Sequence, residues 1–406
     1  MYPKKIKILS VHQDIFAWLR IFPFANATNR KTQFISKICM VSVLIIKLLS
    51  LVSSVAYLYR NVSSEVDLGF SITQISGWAS TFYTLVVAYI IRNQLRKLFD
   101  KIQEIYDDAT DDMKGNFIKI NEKSEFLTKY CVKYFIVGFV AYVCAMAMIN
   151  ILFCYLINGH VDAKCLWYPP KYVLPWNQHT VIGWIGMLIF LVLGSGTYLL
   201  VNIVFLSLFV SVCEFHKVFY SRTEHLLAEL DEVTDETPMK LKRNPTKSIQ
   251  SILCQIIKNN IKGKEFFKYT ADVYSSFLFI QVIFDILFLA AAALQVYVSV
   301  KNPSLNMLTP FIGIVNGLAN LLVYCYIAYR ASDNYVRIGD LLYQSVWYKL
   351  PTKYRKYFVL MIQDSQTPQL YHGFGIIKID MGTFATVLRT VYSYFMAMKT
   401  IGENII

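Results

Sequence analysis

Residues 381–401, MGTFATVLRTVYSYFMAMKTI, are the stretch on which the fold turns. It is the least apolar of seven segments long enough to cross a bilayer, and counting it makes the number of crossings odd. Thr386, Thr390, Ser393, Ala397 and Thr400 recur at spacings of four, three, four and three, which places them on one face of a helix. Phe384, Val387, Leu388, Val391, Phe395 and Met398 occupy the other side. On spacing alone, such a stripe fits a helix that lines water or a small-residue helix–helix interface in lipid. Arg389 favours the aqueous reading, because a charge pointed into lipid is costly. Lys399 lies near the end and is able to snorkel, so it argues less.

Six further apolar segments precede it: Phe34–Tyr59, Val66–Ile91, Leu127–Asn158, Val181–Phe215, Phe266–Ser299 and Leu308–Tyr329. The composition agrees, with 55% hydrophobic and only 17% charged residues among 406. Soluble domains carry roughly 25% charged residues. The expected fold class is an all-α polytopic membrane protein with seven transmembrane helices. The chain is expected to divide into a cytosolic N-terminal arm with an interfacial helix (1–33), helices one to four (34–215), a cytosolic loop with anchor helices (216–265), helices five and six (266–329), a cytosolic anchor segment (330–380) and a seventh helix with an extracellular C-terminus (381–406). An amphipathic stretch near Ile15–Phe24, with Phe16, Trp18 and Leu19, is expected to lie in the membrane interface.

Loop charges set the orientation. Lys and Arg crowd the N-terminal arm and the loops 92–126, 216–265 and 330–370, while the opposite loops offer little beyond Arg60, Lys164, Lys171 and Lys301. The positive-inside rule therefore puts the N-terminus in the cytosol and, after seven crossings, the C-terminus outside. Asn61-Val-Ser is a sequon on the predicted outer side, whereas Asn26-Ala-Thr lies on the cytosolic side. The cytosolic loops repeat apolar residues at helical spacing (Leu226, Leu227 and Leu230; Ile252, Leu253, Ile256 and Ile257), so long helices are expected to continue out of the bilayer and pack there.

Several function classes fall away. The net charge of +13 is explained by cytosolic loops, and no basic stretch interleaved with aromatics outside the apolar segments points to nucleic acid. The eight cysteines are scattered singly and the six histidines are dispersed, so neither a metal site nor a cofactor is expected. Cys154 and Cys165 form a candidate extracellular pair. No GxSxG, HExxH, P-loop or GxGxxG stands in a supporting context, and catalysis is not expected.

Two sets of residues point to function instead. Lys47 in the first span and Asp285 in the fifth are ionisable groups inside the membrane; each is a functional candidate or meets a polar partner or water in the bundle and serves structure, and a direct pair between them is one possibility. Ile75, Trp78 and Phe82, Tyr142, Met146 and Ile149, and Trp184, Met187 and Tyr198 each share a helix face in the outward halves of spans two to four. Ordinary packing accounts for such faces, and so does a closed apolar cavity for a small volatile or lipid-like ligand.

The chain resembles the insect odorant receptors. The resemblance rests on the inverted seven-span plan and on the ending, where Phe384-Ala-Thr-Val-Leu followed by Tyr394-Phe-Met is similar to the FASVL…YFM pattern that closes this family. The resemblance implies a heterotetrameric, ligand-gated, non-selective cation channel formed with a shared co-receptor subunit, with the seventh helices around one pore. Matched through the Tyr394-Phe-Met step, it implies gate positions at Ala397, Thr400 and Ile401, and the small, hydroxyl-bearing stripe adds Thr390 and Ser393 as pore-lining candidates. The co-receptor has Gln at the position of Thr400, Val at that of Ala397, and a longer loop after its fourth span. This chain therefore resembles a ligand-tuning subunit. The implied partners are the co-receptor, a small volatile odorant, the lipid bilayer and permeating cations, with no nucleic acid and no G protein required. The implied location is the plasma membrane of olfactory dendrites. The alternative is a gustatory receptor of the same fold, acting as a homotetrameric ligand-gated channel. Its usual Thr-Tyr-x-x-x-x-x-Gln-Phe ending is absent here, as are the Asp-Arg-Tyr and Asn-Pro-x-x-Tyr patterns of G-protein-coupled receptors.

Overall fold

The computed structural model describes residues 8–18, 30–61, 65–109, 111–158, 181–235, 245–301 and 308–405. The described residues are almost wholly helical: α1 (Ser10–Trp18), α2 (Arg30–Asn61), α3 (Glu65–Ile90), α4 (Arg92–Asp107), α5 (Asp111–Asn158), α6 (Val181–Asp235), α7 (Pro245–Lys301), α8 (Leu308–Gln344), α9 (Thr352–Ser365) and α10 (Met381–Ile405). A 3-10 turn at Val346–Lys349 precedes α9, and a small antiparallel hairpin of β1 (His372–Gly373) and β2 (Ile377–Lys378) leads into α10.

Burial on α2 is inside out for a protein in water. Ile38, Val41, Ile45, Leu48, Leu49, Val52 and Val55 are exposed, while Lys47, Ser50 and Ser54 are buried. The buried serines donate to their own helix, Ser50 Oγ to Ile46 O and Ser54 Oγ to Ser50 O, both at 2.8 Å. A continuous exposed apolar stripe is prohibitive in water and favourable in lipid. The same inversion marks α5, where Ile136, Val137, Val140, Met148, Leu152 and Leu156 face outward. By length and composition, three helices among the described residues can cross a membrane: Val201–Thr234, Ile249–Tyr297 and Phe311–Gln344. Ser71–Ile90 with Arg92–Asp107, bent by 65°, adds a fourth if the pair counts as one span.

The long helices outrun any bilayer. The 57 residues of α7 rise about 85 Å, more than twice the roughly 30 Å of hydrocarbon. As the sequence predicts, the excess packs: Leu226, Leu227, Leu230, Ile252, Leu253 and Ile256 are buried in one core with Tyr335, Ile338, Leu342, Tyr354 and Phe358 of α8 and α9. α4 joins that core through Leu95, Leu98, Phe99 and Ile102, and keeps its charges outward. The chain turns there because Ile91 leaves helical geometry (φ −84°, ψ 5°).

The amphipathic stretch forms α1 at Ser10–Trp18, and its Phe16 is fully buried edge-on against Phe99 and Phe205. Residues 19–24 lie outside the described residues. α1 is held by α5: Asn121 Oδ1 accepts from Leu9 N (2.7 Å), and Glu125 Oε1 accepts from Ser10 N (3.0 Å) and Ser10 Oγ (2.9 Å). These acceptors satisfy amide groups that the first helical turn leaves unpaired.

Candidate functional site

α3 runs between α2 and α7 and uses its two flanks differently. Towards α2, Gln74 Nε2 donates to Ser54 Oγ at 3.1 Å, and the Lys47 ammonium stands 4.6 Å from the centroid of the buried Trp78 ring. A cation over a desolvated indole face is a favourable way to keep an ammonium out of lipid. Towards α7, Ser80 Oγ donates to Gln281 Oε1 at 3.4 Å, and Gln281 Nε2 donates to Asp285 Oδ1 at 3.0 Å. Gln295 Nε2 donates to Thr73 Oγ1 at 2.5 Å, and the Tyr83 hydroxyl donates to Ser276 O at 3.3 Å. Lys47 and Asp285 thus engage opposite flanks of α3.

Of the nine aromatic and apolar candidates, Ile75, Trp78 and Phe82 are described. Trp78 turns to Lys47 of α2, and Ile75 and Phe82 are half-buried. The side chains of Tyr142, Met146 and Ile149 on α5, and of Trp184, Met187 and Tyr198 on α6, lie outside the described residues. So do the partners of the Cys154–Cys165 pair; Cys131, Cys144, Cys213, Cys254 and Cys325 are free thiols.

α10 divides into the two faces that its spacing predicts. Val387 is buried, Phe384 and Val391 pack on the core, and Phe395 meets Tyr297 of α7 edge-on at 5.8 Å. Thr386, Ser393, Ala397 and Thr400 are exposed with Arg389, and Thr390 is half-buried. Each hydroxyl bonds back to its own helix, Thr386 to Gly382 O, Thr390 to Thr386 O, Ser393 to Arg389 O and Thr400 to Met396 O, at 2.9–3.0 Å. The stripe is thereby satisfied without a neighbour. Leu388, assigned to the packed side, is partly exposed, and the side chain of Ile401 lies outside the described residues.

Below this helix a buried polar knot joins α6, α7, α8 and the hairpin. The Tyr335 hydroxyl donates to Gly263 O at 2.7 Å, so it accepts from His216 Nδ1–H at 2.9 Å. His216 Nε2 is then bare and accepts from the Tyr371 hydroxyl at 3.1 Å. The Cys213 thiol donates to Tyr371 Oη at 3.5 Å, and Thr270 Oγ1 lies 3.0 Å from it. Gly373 seats the hairpin on the backbone of Phe279, and Phe374 N donates to Ser275 Oγ at 2.9 Å. Asp380 then caps α10 through Thr383 N at 2.7 Å.

His12 is a second buried histidine. The Ser207 and Thr128 hydroxyls spend their protons on Val204 O (3.0 Å) and Ser124 O (2.8 Å). His12 Nε2–H therefore points to both oxygens, at 3.2 and 3.1 Å, and Nδ1 is left bare with no hydrogen-bond partner among the described residues. Burial pushes the imidazole down to about 4, from an ordinary 6.5. Between those values the unfolded chain takes up a proton that the folded chain refuses. The contribution is therefore complete above about pH 6.5 and is lost as pH falls towards 4, at a slope on the order of 1 kcal/mol per pH unit. Thermal unfolding in detergent is expected to show wild type losing stability between about pH 6.5 and 4, relative to His12→Gln. Parallel pH profiles for the two proteins would refute the buried, neutral state.

The sequence profile described as "7tm Odorant receptor" matches residues 65–392. Odorant receptor 22c of Drosophila melanogaster is 25% identical over 103 residues, covering 25% of this chain and 25% of that protein. Putative odorant receptor 85d of the same fly is 27% identical over 77 residues, 19% of each chain. The chain therefore matches about a quarter or less of these relatives' length. The solved structure of the insect olfactory receptor OR5 from Machilis hrabei superposes with a TM-score of 0.68 at 14% identity, covering 95% of this chain and 98% of that one. Its complex with eugenol gives 0.68 at 15% identity, over 96% and 98%.

Proposed function

Because the chain belongs to the 7tm odorant receptor family, we propose that it is a ligand-tuning subunit which binds a small volatile molecule and, assembled with the family's co-receptor as a heterotetramer, gates a non-selective cation channel. It resides in the plasma membrane of the sensory dendrite, crosses seven times with a cytosolic N-terminus, and signals without a G protein. The observation that carries this reading is α10, which packs through Phe384, Val387, Val391 and Phe395 and turns Thr386, Ser393, Ala397, Thr400 and Arg389 outward. A polar stripe turned away from the core of an apolar chain fits water and neighbouring subunits better than lipid. Ile401 is proposed to form the constriction with Ala397 and Thr400. The core that Leu226, Leu230, Ile252 and Ile256 build with Tyr335, Leu342 and Phe358 serves as the cytosolic anchor.

The ligand site lies beside α3, with Ile75, Trp78 and Phe82 on one wall and the α5 and α6 sets completing it. In support, eugenol is the molecule bound in one of the superposed OR5 structures. A ligand of about ten heavy atoms, at roughly 0.3–1.5 kcal/mol per atom, reaches micromolar affinity without ionic contacts. Opening requires the ligand to favour the open arrangement, since equal affinity for both states shifts nothing.

The test is co-expression. The chain alone is expected to give no odorant-evoked current, and the chain with the co-receptor to respond to some member of a volatile panel. Robust current without the co-receptor would support the homotetrameric alternative. Trp78→Ala is expected to move odorant sensitivity about tenfold, equivalent to 1.4 kcal/mol, while sparing activation by a co-receptor agonist. Equal loss of both responses would mean that Trp78 serves only the core. An N-terminal epitope tag stained on intact cells would sink the orientation.

A further inference from the structure

Asp285 stands in α7 where α3 and α8 approach, and its carboxyl is incompletely satisfied. The residue is 7% exposed, and Oδ1 accepts from Gln281 Nε2 at 3.0 Å. Gln281 is itself fixed by the Ser80 hydroxyl at 3.4 Å. The Asn320 side chain of α8 stands beside the carboxyl, yet Oδ2 is buried with no well-formed hydrogen bond among the described residues. None of the ion pairs among the described residues includes Asp285.

Neither protonation state closes this site. An ionised carboxylate would hold its charge out of water with only amide and hydroxyl dipoles around it. A protonated carboxyl would turn its O–H towards amides that stand as donors to it, Gln281 at Oδ1 and Asn320 beside the carboxyl. A group that brings both positive charge and N–H donors removes either defect.

Open space lies at Gly77, on the face of α3 that carries two cross-helix rungs. Thr73–Gln295 and Ser80–Gln281 tie α3 to α7, and both Gly77 and Asp285 fall between them in sequence. A Cβ added at Gly77 would meet no atom within 4 Å, whereas one at Gly317 of α8 would meet Leu289 Cδ2 at 2.9 Å. Ser76 and Ser80 are buried on α3, and Leu289 and Ala292 supply buried apolar surface on α7. We propose that Asp285 is the anionic recognition point for a small protonated amine seated between α3 and α7, with Gln281 and Ser80 orienting the carboxylate.

This inference rests on the reading of the chain as a small-ligand receptor, and its test separates binding from gating. The full-length chain, purified with its co-receptor, is heated with hexylamine, with hexanol or with sodium chloride at neutral pH. Hexylamine is expected to raise the melting temperature, and the other two are not. Asp285→Asn is expected to weaken the hexylamine effect at least tenfold in apparent affinity. Gly77→Leu, which fills the space and keeps the carboxyl, is expected to do the same and carries the test if Asp285→Asn fails to fold. An equal shift with hexanol or sodium chloride, no shift with hexylamine, or an undiminished shift in a folded variant would overturn the proposal. An Asp285-dependent shift without evoked current would leave this site standing and remove the channel reading.

Discussion

Gly373→Ala is expected to destabilise the receptor by about 2–3 kcal/mol, in the upper range for overpacking a tight contact. A Cβ at Gly373 would come within 2.8 Å of Phe279 Cα and Cβ and 3.1 Å of Phe279 N. Two of those atoms are helix backbone, which cannot step aside as a side-chain tip would. The added methyl must lift the hairpin from α7. That movement breaks the hydrogen bond from Phe374 N to Ser275 Oγ at 2.9 Å and the edge-on packing of Phe374 on Phe279 at 5.2 Å. It also disturbs the start of α10, because Asp380 follows directly and caps that helix. Thermal unfolding in detergent reads the stability, and surface expression reads the consequence in cells. Gly375→Ala is the control: its φ is +71° but nothing lies within 4 Å, so the cost is only the roughly 1 kcal/mol of left-handed strain. If Gly373→Ala melts no lower than Gly375→Ala, the hairpin is not seated on α7.

Tyr371→Ala should cost more, about 3–5 kcal/mol, the usual range for emptying an aromatic site in a packed core. Tyr371 is fully buried, with its ring 4.7 Å from Phe267 and 5.2 Å from Phe209. Tyr371→Phe isolates the hydroxyl. It leaves His216 Nε2 as a buried acceptor without its donor, at a cost of about 1–3 kcal/mol. His216→Phe strands the same bond from the other side. The double variant is therefore expected to cost less than the sum of the single ones, measured by chemical or thermal unfolding. Simple additivity would show that the two side chains do not share a hydrogen bond.

The prediction at Tyr371 also shows where the sequence stops informing. His216 reads as one of several dispersed histidines, and nothing nearby marks it as a junction. Its partners Tyr335 and Tyr371 are 119 and 155 residues away. His12 likewise meets Ser207 across 195 residues. Such pairings carry no local period, and only the assembled helices bring them together. The hairpin leaves a fainter trace in Gly373 and Gly375, although Phe374 at φ 49° takes a left-handed conformation that its residue type does not announce.

By itself, the sequence determined the long helical segments and, on α10, most of the division into a packed and an open face. Local periodicity records burial directly, and the division of α10 into Val387 and Phe395 against Ser393 and Thr400 needed nothing more. The composition, 55% hydrophobic and 17% charged, determined the solvent, and the exposed Ile45, Leu49 and Val52 of α2 agree with lipid. The tertiary structure decided which neighbour each face meets. It turned Trp78 to Lys47 on α2, drew Phe16 into the core, and placed Asp285 with Gln281 and Ser80 on the opposite flank of α3. Periodicity reports that a side chain is covered, whereas the covering partner depends on how helices distant in the chain rotate and cross.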